Sequence, residues 1–253
     1  MSPVARFRDR TVLITGAGSG IGRATAHRLA SEGAAVFLVG KTGSKLEAVA
    51  GEVKKAGGKA GFETADLRKP EDCRRAVEAG ARWNGRLDAV VNGAGTFPSA
   101  PFPDLTDEDW QQAIESNLAA PMRVTRAAVP HLKKGGAVVN ISSINAVIGD
   151  KLSACSHYSA AKAGLLGLTR QLAVELAPEI RVNAIVPGAV KTPMLDGWNE
   201  DPADMKAWLE RFVPLNRIAR PEEMAGVIAF LASDDASYLT GATIVADGGV
   251  AIV

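Results

Sequence analysis

Residues 15–22 read Thr15-Gly16-Ala17-Gly18-Ser19-Gly20-Ile21-Gly22, between an apolar, β-branched run at residues 11–15 and an amphipathic segment at residues 21–32. The run before the glycines is typical of a buried strand, and the segment after them has helical spacing. Glycine allows a tight turn and lets the backbone approach a ligand, and the first N–H groups of a helix attract phosphate. This strand–loop–helix order favours a dinucleotide-binding loop over a glycine loop that binds nothing.

The alternation of strand and helix continues along the chain. Short apolar runs predict strands at residues 11–15, 34–39, 59–65, 88–92, 137–141, 181–186 and 242–246. Longer periodic segments predict helices at residues 21–32, 44–56, 70–83, 110–132, 158–177 and 221–232. Continuous apolar strands are typical of parallel sheets that are covered on both faces. We therefore predict a doubly wound α/β fold with seven parallel strands, as a single domain over residues 1–253.

Composition limits the class of protein. The chain has 253 residues, of which 47% are hydrophobic and 23% charged, and its net charge is +1. These values fit a globular protein and give no reason to expect a nucleic-acid partner. No apolar run is long enough to cross a membrane, and residues 1–10 lack the apolar core of a signal peptide. Cys73 and Cys155 show no metal-binding or redox spacing, so we expect a reduced, cytoplasmic protein without a metal.

Further motifs follow the glycine loop in a fixed order. They are Asp66-Leu67, Asn92-Gly93-Ala94-Gly95, Asn117, Ile141-Ser142-Ser143, Tyr158-Ser159-Ala160-Ala161-Lys162, Pro187-Gly188 and the run from Leu239 to Gly249. With the G-x-x-x-G-x-G spacing of Gly16, Gly20 and Gly22, they resemble the short-chain dehydrogenase/reductase family, in particular members similar to 3-oxoacyl-ACP reductases. The resemblance covers the whole chain. It implies a Rossmann fold and an NAD(P)(H)-dependent oxidoreductase that moves a hydride between nicotinamide and an alcohol or carbonyl carbon.

Tyr158 and Lys162 are the candidate catalytic pair. They are four residues apart on a predicted helix and share one face. An ammonium group near a phenol lowers the pKa of the phenol, which could then exchange a proton with a substrate hydroxyl. The alternative is an ordinary amphipathic helix with an interfacial tyrosine and a solvated lysine. The resemblance implies that Tyr158 is the acid/base, Ser143 binds the substrate oxygen, Lys162 also binds the cofactor ribose, and Asn117 holds a proton-relaying water.

Pro121 gives a separate reason to expect an irregular helix at Asn117. Proline lacks the N–H that would bond to the carbonyl four residues earlier, and its ring crowds that carbonyl. We therefore expect a kink and a freed Asn117 carbonyl that could accept a water. A kink that serves packing alone is the alternative.

The separation of Ser143 and Tyr158 is irregular. It is fifteen residues, where the family usually has thirteen, and the usual distance falls on Asn145. We infer a two-residue insertion within residues 145–157 that reshapes one wall of the substrate pocket. Ser143 is then the functional serine, with Ser142 as the alternative.

The end of the second predicted strand decides the choice of cofactor. An acidic residue there would bind the 2′-hydroxyl of the NAD ribose, but this chain has Gly40-Lys41-Thr42, with Ser44 nearby. Charge at Lys41 favours NADP(H), and NAD(H) is the alternative if Lys41 is only a solvated lysine. The other cofactor-binding residues implied by the resemblance are Gly16, Ser19, Gly20, Ile21, Gly22, Asp66, Leu67, Asn92, Gly93, Ala94, Tyr158, Lys162, Pro187, Gly188, Val190 and Thr192.

Residues 192–214 are the least regular stretch, and in the family this region covers the substrate. Met205, Trp208, Leu209 and Phe212 fall on one helical face, which predicts an apolar lid whose mobile part includes Gly197 and Glu200-Asp201. A face fixed in the core is the alternative. The family turns over substrates as different as 3-oxoacyl thioesters, steroids, sugars and small diketones, so the small carbonyl or alcohol substrate is not identified.

The resemblance also bears on assembly and on activity. It implies a homotetramer whose contacts are made by the helices around Asn117 and Tyr158 and by the C-terminal strand. A catalytically silent nucleotide-binding scaffold or sensor on the same fold is the alternative function. Silent members often lose the tyrosine or the lysine, so the intact set of Asn117, Ser143, Tyr158 and Lys162 favours the enzyme.

Overall fold

The structure is a computed structural model that describes residues 5–149, 153–196 and 202–253. These residues form a seven-stranded sheet of order β3-β2-β1-β4-β5-β6-β7, and each neighbouring pair of strands is parallel. The strands are β1 (Thr11–Thr15), β2 (Ala35–Gly40), β3 (Lys59–Thr64), β4 (Leu87–Asn92), β5 (Leu132–Ile141), β6 (Ile180–Pro187) and β7 (Thr243–Ala246). The predicted fold class is confirmed. The strand order reverses between β1 and β4, where sheets of this type leave a ligand-binding crevice at their carboxyl edge.

Helices connect the strands. They are α1 (Gly20–Ser31), α2 (Gly43–Lys55), α3 (Pro70–Trp83), α4 (Asp107–Ile114), α5 (Ala120–Ala128), α6 (Ser156–Glu175), α7 (Pro202–Phe212) and α8 (Pro221–Ala232). Outside the region between α3 and β6, predicted and observed bounds agree within two residues. Within the described ranges, no helix is both long and apolar enough to cross a bilayer.

The single helix predicted at residues 110–132 is wrong in its extent. The helical region begins at Asp107, and a π-helical segment, Glu115–Ala119, separates α4 from α5. β5 begins at Leu132, five residues earlier than predicted. Pro130 lies in the turn before β5, and its missing N–H prevents a regular helix from continuing there.

Alternate residues of the central strands supply the two larger hydrophobic cores. Val12 and Ile14 of β1 pack with α1, α2 and α8 on one face of the sheet, while Leu13 packs with α3, α5 and α6 on the other. All three side chains are fully buried. Because both faces of the sheet are covered, the crevice at the carboxyl edge is the place where a ligand can reach the strands.

Candidate active site and nucleotide cleft

The glycine loop lies against the loop that follows β4. The hydroxyl of Thr15 accepts the backbone N–H groups of Gly93 at 3.0 Å and Ala94 at 3.1 Å. A Cβ at Gly22 would lie 2.3 Å from the carbonyl oxygen of Gly16, and Gly16 itself has a φ of +69°. Side chains are therefore excluded at these two positions, and the backbone lines a cleft at the N-terminus of α1.

Two adjoining cavities occupy this cleft. The Tyr158 cavity, of about 290 Å³, contains Ser143, Tyr158 and Lys162 in its wall. The Lys41 cavity, of about 310 Å³, contains Lys41 and Asp66. The predicted cofactor residues that line one or both are Gly16, Ser19, Gly20, Ile21, Gly22, Lys41, Asp66, Leu67, Gly93, Ala94, Tyr158, Lys162, Pro187, Gly188, Val190 and Thr192.

Asn92 is the exception among the predicted cofactor residues, because it lines neither cavity. Its side chain is buried and donates to Oγ1 of Thr125 at 3.0 Å and to Oδ1 of Asn140 at 2.8 Å. It therefore ties β4 to β5 and α5 beneath the cleft, and the prediction of a direct nucleotide contact is not supported by its position.

Ser143, Tyr158 and Lys162 all lie in the wall of the Tyr158 cavity. Tyr158 is 5% exposed, and its ring meets that of Phe97 edge-on at 4.8 Å between centroids. The hydroxyl of Ser143 is close enough to the phenol to lower the pKa of Tyr158. Nζ of Lys162 is 5.7 Å from the centre of the tyrosine ring and donates to the carbonyl of Ile141 at 2.8 Å. One small molecule could contact both hydroxyls.

Burial dominates the electrostatics of this pair. It raises the pKa of Tyr158 to about 12, although the nearby Ser143 hydroxyl acts in the opposite direction. It also lowers the pKa of Lys162 to about 8. The expected lowering of the tyrosine pKa is therefore not seen, because loss of water disfavours the phenolate more than its neighbours favour it. In this structure Tyr158 is a neutral phenol at pH 7.

The geometry favours Ser143 over Ser142 as the functional serine. The Ser142 hydroxyl donates to the backbone carbonyl of Lys162 at 2.9 Å, so it fastens α6 to the end of β5. The Ser143 hydroxyl lies beside Tyr158 and donates to Oδ1 of Asn145 at 3.2 Å. Of the inferred insertion, residues 150–152 lie outside the described ranges.

Asn117 lies behind the same cavity and is fully buried. Its Nδ2 donates to the carbonyl of Ala113 at 3.1 Å, and its Oδ1 accepts the N–H of Thr96 at 3.2 Å. A Cβ at Gly95 would lie 2.6 Å from that Oδ1 and 3.5 Å from Nζ of Lys162. Both side chains therefore lie next to Gly95, where a larger residue would clash with the Asn117 amide.

The helix is irregular at Asn117, as the position of Pro121 predicts. The irregularity is the π-helical segment Glu115–Ala119, a form that is frequent at functional sites. Ser116, in the same segment, lines the Lys41 cavity. The same π-helical segment therefore contributes Ser116 to the Lys41 cavity and places Asn117 behind the Tyr158 cavity. The freed carbonyl of Asn117 stays a prediction.

The Lys41 cavity is rich in cations. Nζ of Lys41 is 3.4 Å from Oδ1 of Asp66, and Arg68 pairs with the same carboxylate at 2.7 Å. The Arg68 guanidinium is the main cause that holds the pKa of Asp66 well below its usual range. Lys45 lines the cavity as well. Lys45 and Arg68 are not predicted from the sequence, although the spacing of four residues from Lys41 to Lys45 is a signal for Lys45.

Apolar side chains from separate loops and from α7 complete the Tyr158 cavity. Those not predicted from the sequence include Phe97, Ile144, Met194, Leu195 and Val250. Trp208 of the expected apolar face lines the cavity, Met205 and Leu209 are half-buried, and Phe212 is 38% exposed. None of these four is a fully buried core residue. Gly197 and Glu200-Asp201, expected in the mobile part, lie outside the described residues.

The cleft fits a dinucleotide. The loop from Gly16 to Gly22 offers backbone N–H groups at the start of α1, which suit a diphosphate. Hydrogen-bonding and charged groups at Lys41 and Asp66 lie at one end of the cleft, and Tyr158 lies at the other. In the described part of the chain, no group of His, Cys, Asp and Glu side chains is placed to hold a metal ion.

Comparison with known proteins agrees with this arrangement. A family model described as Enoyl-(Acyl carrier protein) reductase matches residues 16–251. The chain is 41% identical over 251 residues to cis-4-hydroxycyclohexanecarboxylate dehydrogenase of Sinomonas cyclohexanicum, covering 98% of each protein. It is 38% identical over 250 residues to the 3-oxoacyl-[acyl-carrier-protein] reductase of Thermotoga maritima, covering 98% of this chain and 100% of that one.

A solved structure gives the same result for the fold. The crystal structure of a dehydrogenase/reductase from Sinorhizobium meliloti matches with a TM-score of 0.91 at 36% identity, over 97% of this chain and 96% of that one. The matches include the glycine loop and the segment with Tyr158 and Lys162. The chain belongs to the short-chain dehydrogenase/reductase family of NAD(P)-dependent oxidoreductases.

Proposed function

We propose that this enzyme interconverts an alcohol and a ketone or aldehyde, with Tyr158 as the acid/base and NADP(H) as the favoured cofactor. The observation that carries the proposal is the convergence of Ser143, Tyr158 and Lys162 on a cavity that adjoins the glycine-lined cleft. A silent scaffold is disfavoured, because all of the expected chemical groups are present and the relatives are named as dehydrogenases or reductases.

Backbone and side chains would divide the binding of the cofactor. The loop from Gly16 to Gly22 would hold the diphosphate at the start of α1. Lys162 would bind the ribose hydroxyls next to the nicotinamide, and Thr192 would contact the carboxamide. The bound cofactor supplies or accepts the hydride at the substrate carbon.

The protein's own groups would handle the proton. In the reducing direction, Ser143 donates a hydrogen bond to the carbonyl oxygen and Tyr158 gives that oxygen its phenolic proton. Burial lowers the pKa of Lys162 to about 8, so near neutral pH Lys162 can pass a proton from a water held by Asn117. In the oxidising direction the phenol must first lose its proton. Because burial raises the pKa of Tyr158 to about 12, oxidation should accelerate with rising pH and reduction should not.

Three cations support the preference for NADP(H). Lys41, Lys45 and Arg68 line the Lys41 cavity with one carboxylate, that of Asp66. The cavity therefore keeps an excess of positive charge, which suits a ribose 2′-phosphate better than a 2′-hydroxyl.

The apolar wall of the Tyr158 cavity supports a partly apolar substrate. Phe97, Met194, Leu195 and Trp208 surround the space beside Tyr158. The two curated relatives are named for a ring alcohol carrying a carboxylate and for a 3-oxoacyl thioester, and both substrates have an apolar portion.

Further features support a domain organisation, a location and an oligomeric state for the protein. The continuous seven-stranded sheet supports a single domain over residues 1–253, with residues 192–214 as a lid. Cys73 and Cys155 are both buried and have no redox spacing in the sequence, which supports the cytoplasm as the location. Exposed Val174 on α6 and Val245 on β7 support a homotetramer, which a molar-mass measurement by light scattering tests.

Tyr158→Phe tests the function. The variant keeps the ring but loses the proton, so turnover should fall at least about a hundredfold in both directions, with cofactor KM within a few-fold. Tyr238→Phe is the matched control, since Tyr238 is the other tyrosine of the chain and is fully exposed. Absorbance of the reduced nicotinamide gives the rate. Turnover of Tyr158→Phe within a few-fold of wild type would reject Tyr158 as the acid/base.

A further inference from the structure

Asn145 is a polar side chain of the Tyr158 cavity that the proposed mechanism leaves without a role. It lies two residues after Ser143, in the short 3₁₀ turn Ile144–Ala146 that follows β5. It also stands thirteen residues before Tyr158, at the separation usual for the serine itself.

Two hydrogen bonds join Asn145 to Ser143. The backbone N–H of Asn145 donates to Oγ of Ser143 at 3.3 Å. The hydroxyl of Ser143 donates to Oδ1 of Asn145 at 3.2 Å. The serine oxygen is thus fixed by one bond and its proton by another.

The far side of the same amide is held by the start of α6. Nδ2 of Asn145 donates to Sγ of Cys155 at 3.4 Å, and that sulfur lies 3.6 Å from Oγ of Ser159. Cys155 precedes Tyr158 by three residues. The Asn145 amide therefore bridges the serine at the end of β5 to the helix that carries the tyrosine.

We propose that Asn145 is a positioning residue that acts through Ser143. A serine hydroxyl has one proton, and here Ser143 donates it to Oδ1 of Asn145, while the phenol of Tyr158 lies in the wall of the same cavity. Asn145 holds the hydroxyl in this orientation in the absence of substrate, and Ser143 turns its proton to the substrate oxygen when that oxygen enters. The inference rests on the proposed function, because it requires the reaction to take place at Ser143 and Tyr158.

Two variants that keep the branched shape and the number of side-chain heavy atoms of asparagine test the role. Asn145→Leu removes the amide and should lower kcat roughly fivefold to tenfold, the effect of one lost neutral hydrogen bond, with cofactor KM unchanged. Asn145→Asp places a carboxylate beside Ser143, which raises the pKa of Tyr158 further and should displace the rising pH profile of alcohol oxidation toward higher pH. Asn216→Asp is the charge-matched control, because Asn216 is exposed and lines neither cavity of the cleft.

A double-mutant cycle separates action through Ser143 from a general packing effect. In the Ser143→Ala background, Asn145→Leu should change kcat by no more than about twofold, because the group through which it acts is gone. Multiplicative losses in the cycle, or an Asn145→Asp profile that coincides with wild type, would overturn the inference. Binding of reduced cofactor, followed by its fluorescence, confirms that each variant is folded. If Asn145→Leu does not fold, the pH profile of Asn145→Asp still tests the positioning role of Asn145.

The two proposals fail in different ways. Full activity of both Ser143→Ala and Tyr158→Phe would remove the proposed function. Loss of activity in those two variants, combined with multiplicative losses at Asn145, would leave the function in place and remove only the positioning role.

Discussion

The preference for NADP(H) can be reversed by two substitutions at the end of β2, Gly40→Asp and Lys41→Ala. A Cβ at Gly40 would meet Cδ2 of Leu46 at 3.4 Å, an ordinary contact, so a carboxylate fits without displacing the backbone. Nζ of Lys41 is 3.4 Å from Asp66. When the Lys41 side chain is removed, the Asp66 carboxylate stays paired with Arg68 at 2.7 Å, so the loop keeps its main ion pair.

The magnitude follows from the exposure of the groups. A charge-assisted hydrogen bond contributes roughly 1.5–3 kcal/mol. Because the Lys41 side chain is 53% exposed and Lys45 and Arg68 remain, the lower value, about 1.5 kcal/mol, applies to its loss. Repulsion between the new carboxylate and the 2′-phosphate weakens NADPH binding by about the same amount, about 1.5 kcal/mol, at an intermediate dielectric constant. Since 1.4 kcal/mol is a tenfold change, the NADPH-to-NADH ratio of kcat/KM should fall about a hundredfold.

The assay is kcat/KM with each reduced cofactor at low and high ionic strength, because salt screens exposed charges. Lys45→Ala and Arg68→Ala should lower the same ratio by smaller factors. Lys55→Ala is the control, since Lys55 is an exposed residue at the end of α2 that lines neither cavity of the cleft. A wild type that prefers NADH, or a ratio that moves less than about threefold in the double variant, would refute the reasoning.

Two further predictions concern α5 and α7. Pro121→Ala should allow the Asn117 carbonyl to regain a helical hydrogen bond, so that the melting temperature holds or rises while kcat falls; unchanged kcat in a regular helix would assign the proline to packing alone. Amides of α7 (Pro202–Phe212) should exchange quickly in the free protein and slowly with cofactor and substrate both bound, as in lids that order on binding; equal protection in the two states would identify a static helix and remove the argument for an apolar substrate.

Much of the fold was predictable because buried parallel strands leave a simple pattern. β1 and β2 are nearly continuous apolar runs, and β4 has an apolar centre at residues 89–91. The start of β5 was not predictable, since residues 132–136 contain two lysines and two glycines. That segment becomes a strand through tertiary pairing, with Leu132 opposite Leu87 and Gly136 opposite Ile180.

The sequence predicts the parts of the candidate site whose backbone is fixed by a motif. It predicts less well which side chains face the cleft, because that depends on how the strands and helices pack. Asn92 sits opposite Asn140 in the parallel register of β4 and β5, and this pairing turns its amide inward. The spacing of residues within one strand does not show which residue of the neighbouring strand lies opposite, so the inward direction of Asn92 could not be predicted. Lys45 and Arg68 reach the Lys41 cavity from separate loops and helices, so their convergence also required the fold.

The pKa of Tyr158 is the property for which the structure differs most from the prediction made from the sequence. This difference affects how the proposed reaction proceeds. A buried phenol with a pKa of about 12 is seldom ionised at neutral pH, so it is a poor base before the reaction begins. It is still a stronger acid than an alcohol, and the alkoxide formed as a hydride reaches a carbonyl carbon can take its proton downhill. Proton transfer should therefore accompany hydride transfer in reduction, whereas oxidation must wait for rare phenolate. Lys162, whose pKa burial lowers to about 8, can return the proton to Tyr158 near neutral pH, so the buried pair favours reduction under those conditions.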